Sequence, residues 1–84
     1  MPESVVFPQF RRYKNGKSVF KINSMSNFVE LQMIGEHVIR HEINAKILPD
    51  RNFIADMIND YELNWELISA AEYNLIADKI NHQQ

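Results

Sequence analysis

The chain predicts an α+β fold built on an antiparallel sheet. Three features carry that expectation: an Asn15-Gly16 turn between strand-like arms, a period of two through residues 28–47, and two short helical patterns after Pro49. The expected architecture is an antiparallel meander of four strands, then a helix, a fifth strand and a C-terminal helix, with both helices packed on one sheet face. The place of the fifth strand in the sheet is left open.

Asn15-Gly16 suits a type I′ turn, whose central residues need positive φ. It would pair residues 9–14 with 17–23, setting Tyr13 opposite Ser18, Arg12 opposite Val19, Arg11 opposite Phe20 and Phe10 opposite Lys21. Tyr13, Ser18, Phe20 and Ile22 then share the more apolar side with Arg11 near its edge, and Arg12, Lys14, Lys17 and Lys21 share the other with Phe10 and Val19. After a polar turn at 23–27, Val29, Leu31 and Met33 alternate with Glu30 and Gln32, which reads as a third strand over 28–34.

Gly35 introduces residues 37–47, where Ile39, His41, Ile43, Ala45 and Ile47 alternate with Val38, Arg40, Glu42, Asn44 and Lys46. Keeping one face apolar favours an odd turn, of three or five residues, that sets Val29, Leu31 and Met33 beside Ile39, His41 and Ile43 and Glu30 opposite Arg40. A competing reading exists, because Ile39, Ile43 and Ile47 are also spaced as on one side of a helix.

Pro49 and Asp50 open the first helix, with Asp50 as N-cap and Phe53, Ile54, Met57 and Ile58 at helical spacing up to Asn59 or Asp60. Tyr61, Leu63, Trp65 and Leu67 alternate with Glu62, Asn64 and Glu66 in the pattern of a fifth strand, with Trp65 in the core. Ser69 and Glu72 form a capping box, and Ile68 and Tyr73 stand at the positions of a hydrophobic staple. Tyr73, Ile76, Ala77 and Ile80 then make the apolar stripe of a second helix running to about residue 81. The whole of 1–84 reads as one domain with flexible ends at 1–8 and 82–84.

Composition narrows the function classes. A chain of 84 residues buries only about 60–65% of the surface it exposes unfolded. At 45% hydrophobic and 24% charged it is nonetheless a core-forming sequence and not a disordered one. It has no cysteine, no apolar run near the roughly 18 residues that span a bilayer, and no signal-peptide pattern at its start. A soluble cytoplasmic protein with no membrane partner is expected.

Two glycines cannot build a phosphate-binding loop, and the serines at 4, 18, 24, 26 and 69 lack the flanking glycines of a nucleophile elbow. Glu62 and Glu66 fall on the wet side of a predicted strand. Neither an enzyme nor a cofactor is expected. His37 and His41 would approach one metal ion only on a helix; on a strand their Cα atoms lie about 13 Å apart. His41 is expected to be neutral, hydrogen-bonded and packed among isoleucines, and no metal site is expected.

Net charge is −2, but residues 1–24 hold five Lys and Arg against one Glu, leaving +4 there and −6 in the remainder. Phe10, Arg12, Lys14, Lys17 and Lys21 are therefore the candidate binders of an anionic partner, and the basic hairpin 10–21 carries the alternative reading of a nucleic-acid-binding module. A pI of 5.8 weighs against it. The favoured reading is a non-catalytic protein-interaction or regulatory domain acting through a sheet face or strand edge. Its partner would be a protein, with a homo-oligomer expected because the apolar residues exceed what two short helices can cover. No motif is specific enough to name a family.

Overall fold

Val19, Phe20 and Ile22 are all completely buried although successive strand residues point to opposite sides, so the strand that carries them is dry on both faces. The computed structural model, which describes residues 6–82, shows why. Strands β1 (Gln9–Tyr13), β2 (Ser18–Ser24), β3 (Asn27–Ile34) and β4 (His37–Asn44) form a meander, followed by helix α1 (Leu48–Asn59) and strand β5 (Trp65–Leu67). Helix α2 (Ala70–Asp78) follows and runs into a closing 3-10 turn, Lys79–His82. The sheet is antiparallel throughout, in the order β4-β3-β2-β1-β5.

The helices lie on opposite faces, not on one. Phe20, Ile22, Phe28 and Trp65 pack with Ile54 and Met57 of α1, whereas Val19, Val29, Leu31 and Val38 pack with Tyr73, Ile76 and Ala77 of α2. The correction has a physical cause. Residues of both parities along β2 and β3 are apolar, so each face needs its own cover, and β5 lets the chain pass the sheet's edge between the two helices.

The first hairpin has the expected register, Arg11 opposite Phe20 and Phe10 opposite Lys21. Its turn is not type I′, however. Among the described residues only Gly16 and Gly35 have positive φ, and the tight turn closes from Gly16 N–H to the Tyr13 carbonyl, with Lys14 and Asn15 at its centre. Asn15 acts through its side chain, accepting from Lys17 N–H at 2.8 Å.

The β3–β4 connection corrects the odd-turn expectation. Ile34 pairs with His37 across two residues, Gly35 and Glu36, and Gly35 at φ 59° followed by negative φ has the sign pattern of a type II′ turn. Met33 therefore faces Val38, Leu31 faces Arg40, and Glu30 faces His41 instead of Arg40. Mixing the faces is tolerated because β4 is outermost and Arg40 and Glu42 reach water. Residues 37–44 are strand, not helix. The strand stops at Asn44, before Ile47, where Ala45 turns into the core and donates its N–H to the Ser26 carbonyl.

Other ends shift for local reasons. Ile47, not Asp50, is the N-cap residue of α1, with Pro49 in the first turn where its missing N–H costs nothing and Asp50 beside the positive end of the dipole. Residues Tyr61–Leu63 coil into a 3-10 turn, so only Trp65–Leu67 is strand. Ser69 caps α2 as expected, its hydroxyl accepting from Glu72 N–H at 3.1 Å. Of the ends expected to be flexible, residues 1–5 and 83–84 lie outside the described residues; Phe7 packs against the α1-side core.

Since each face carries its own core, Phe20→Ala and Leu31→Ala should each destabilise the domain severely, by about 3–5 and about 2–5 kcal/mol. Urea unfolding of both variants tests this; if either substitution proves nearly neutral, that face is not sealed as described.

Candidate functional site

Two regions compete for a functional role, the basic hairpin and the outer edge of β4. In the hairpin most of the cations are already engaged. Arg11, 4% exposed, is drawn into the α1-side core. Its Nε donates to the Met57 carbonyl at 2.7 Å, one Nη to the Phe10 carbonyl at 2.8 Å and the other to Gln9 Oε1 at 2.6 Å. The guanidinium also stands 4.9 Å over the Tyr61 ring. Burial lowers its pKa, partly offset by the neighbouring Tyr61 hydroxyl.

Arg12 is bridged on the α2 side by Glu66 at 3.4 Å and Glu72 at 3.5 Å. The Lys14 ammonium donates to the Glu62 carbonyl. Phe10 sets its ring 5.4 Å from Tyr73 in the α2-side core. Lys17 is exposed, and Lys21 is half-buried between Phe10 and Val29 on its neighbouring strands. The five candidate residues thus share a ribbon but not a common open surface: an anionic partner would meet Lys17 and Lys21 readily, and would have to displace contacts to reach Phe10, Arg12 and Lys14.

The β4 edge is built differently. Among the described residues β3 is its only strand neighbour, and the pairing runs through all eight positions without a shift. His37–Asn44 contains no Pro, Gly or Lys and no bulge against β3; its charges are Arg40 and Glu42, and the closing 3-10 turn lies against part of it. A two-residue hairpin closes on a hydrogen-bonded pair, Ile34 with His37, so hydrogen-bonded pairs recur at Ile39, His41 and Ile43. The backbone amides of Arg40 and Glu42 consequently point away from β3.

On the α2 side of this edge Arg40 and Glu42 are half-exposed and 3.5 Å apart, and Asn27 Nδ2 donates to Glu42 at 3.2 Å. On the α1 side the helix covers Phe28 and Ile43 but leaves the turn end bare. There Ile34 and Ile39 remain 51% and 43% exposed, beside His37 and His41. His41 is exposed rather than packed among isoleucines; its Nε2 lies 3.1 Å from Gln32 Oε1. Glu30, opposite it, accepts from the Ser18 hydroxyl at 2.7 Å. No group of three or more metal-ligating side chains occurs among the described residues, and none of the described helices is long and apolar enough to cross a membrane.

What the sequence reading missed is the division of labour among the cations. Arg11 and Arg12 are neighbours in the chain, yet strand alternation sends one guanidinium into the core and the other to a pair of carboxylates. The predicted register contained that signal, since it placed Arg11 beside Phe20 and Ile22 on the apolar side. No protein-family model matches the chain, and neither the curated proteins nor the solved structures contain a match.

A buried phenol, Tyr73, and a half-buried one, Tyr13, should make stability sensitive to alkali. Burial raises the pKa of Tyr73, with Arg40 acting in the opposite sense, and burial together with Glu30 raises that of Tyr13. A phenol held above its unfolded value stabilises the fold fully below that value and loses the contribution as pH climbs through the folded one. Stability measured by urea midpoint should thus fall above about pH 10, and less steeply in Tyr73→Phe. An unchanged slope in that variant would count against the buried phenol as a cause.

Proposed function

We propose that this chain is a non-catalytic protein-interaction domain that works by strand addition at the outer edge of β4, with a second copy of itself as partner. The observation that carries the reading is a regular eight-residue edge strand with its Arg40 and Glu42 amides directed outward and exposed Ile39 and Ile34 alongside.

Placing the two helices on opposite faces changes the argument made from composition. No whole sheet face lies open, so an apolar excess cannot be assigned to one. What remains is local: one end of the α1-side face, next to β4, where the helix does not reach. The edge supplies main-chain hydrogen bonds and the two isoleucines supply apolar area, which together are the ingredients of strand addition. Association would also stabilise a domain whose own core is small.

Sedimentation velocity on the full chain from low to high micromolar concentration should show a concentration-dependent dimer. Arg40→Pro removes an outward amide without touching a β3–β4 hydrogen bond, so it should yield a folded monomer, with folding checked by far-UV circular dichroism. A native chain that remains monomeric at high micromolar concentration would sink the proposal.

A further inference from the structure

We infer that the second copy docks in a single register, β4 against β4 in antiparallel sense, about a two-fold axis through His41. The inference rests on the edge reading above and adds to it the alignment that the side chains select.

An antiparallel ladder forms only if outward amides meet outward amides. On this edge the even-numbered residues face outward, with Arg40 and Glu42 at the strand's middle, so the two-fold registers centred there reduce to three. One sets Arg40 opposite Arg40 of the partner subunit, and a second sets Glu42 opposite Glu42 of the partner subunit. Both place like charges directly across the new ladder, an arrangement that is destabilising. The third sets Arg40 opposite the partner's Glu42, and symmetry repeats the pair with the roles exchanged.

Only this last alignment makes every charged position complementary. It also brings Ile39 opposite the partner's Ile43, twice over, on the α1 side, with His41 meeting its counterpart on the axis. Half-exposed Ile39 thereby gains an apolar neighbour from the other chain. The present Arg40–Glu42 contact, 3.5 Å between side chains that are each about half exposed, does not oppose the exchange. Such surface pairs contribute little, so trading an intrachain partner for an interchain one costs little. The hydrogen bonds of the new ladder run between Arg40 and Glu42 and the partner's Glu42 and the partner's Arg40, and none of them uses Val38. A two-fold axis perpendicular to the sheet keeps α1-side faces together, so the product is one continuous ten-stranded sheet, twice the five of a single chain.

Charge reversal tests the register apart from the edge. Arg40→Glu alone and Glu42→Arg alone should each dimerise about tenfold more weakly than the native chain, or worse, because each turns both complementary pairs into like-charge pairs. Their equimolar mixture should recover native-like affinity as a heterodimer, read by sedimentation equilibrium and by native mass spectrometry. Joining both changes in one chain should restore the homodimer, which keeps the test valid if a single reversal folds poorly. Should the native chain dimerise and Arg40→Pro abolish dimerisation, while the reversed chains associate normally or fail to rescue one another, the register is overturned and the edge reading survives. Absence of dimer in the native chain overturns both.

Discussion

Everything in this fold follows from the requirement that β2 be dry on both sides. It sits in the middle of the sheet, and its consecutive residues Val19 and Phe20 belong to different cores. A four-stranded meander with one helical layer would leave one of those cores in water. Short connections cannot carry a chain from one face of a sheet to the other except around an edge, and β5 is where this chain does so. Three residues pair with β1, enough to seat Trp65 against Tyr13 at 5.5 Å, and the polypeptide then emerges on the α2 side.

The same crossing explains Arg11, the one ionisable cation buried among the described residues. The end of α1 must be held where the chain departs toward β5, and its last-turn carbonyls have no helical partners. Arg11 supplies a donor from β1: its Nε takes the Met57 carbonyl while the rest of the guanidinium is satisfied by Phe10, Gln9 and the Tyr61 ring. No carboxylate faces it among its hydrogen-bond partners. Backbone dipoles at a helix C-terminus are a favourable environment for a cation, and three donated hydrogen bonds offset part of the desolvation. Lysine, with a point charge and no planar fork, could not reproduce this geometry.

Much of this was readable from the residues. Strand alternation located four strands and the hairpin register, and Ser69 with Glu72 marked the start of α2, because those signals are local and involve a few neighbouring residues. What could not be read was which face each helix takes. That depends on packing between elements distant in sequence, and alternation in β2 and β3 was consistent with one wet face until Val19, Val29 and Leu31 were seen beneath Tyr73. The β3–β4 turn failed for the same reason: an assumed polar face excluded a two-residue connection that Gly35 accommodates. In the candidate site, the basic hairpin was visible as charge, but the contacts that occupy Arg11, Arg12 and Phe10 come from α1, β5 and α2.

The two edges of the sheet are unequal, and the inequality gives the proposed function its direction. At the β5 edge the strand is three residues long, too short to template a partner, and it is followed at once by the Ser69 cap. At the β4 edge the strand is eight residues long and regular, and it carries its charges in a self-complementary order. Edges that must stay single are usually interrupted by a bulge, a proline or an inward charge. The chain places a bulge elsewhere, between Ile22 and Ser24 in the interior pair β2–β3. With Arg40 and Glu42 two positions apart, the proposed pairing would oppose like charges in two alignments and opposite charges in the one between them. A strand that rejects neighbouring alignments while accepting a central one favours a discrete pairing over open-ended aggregation.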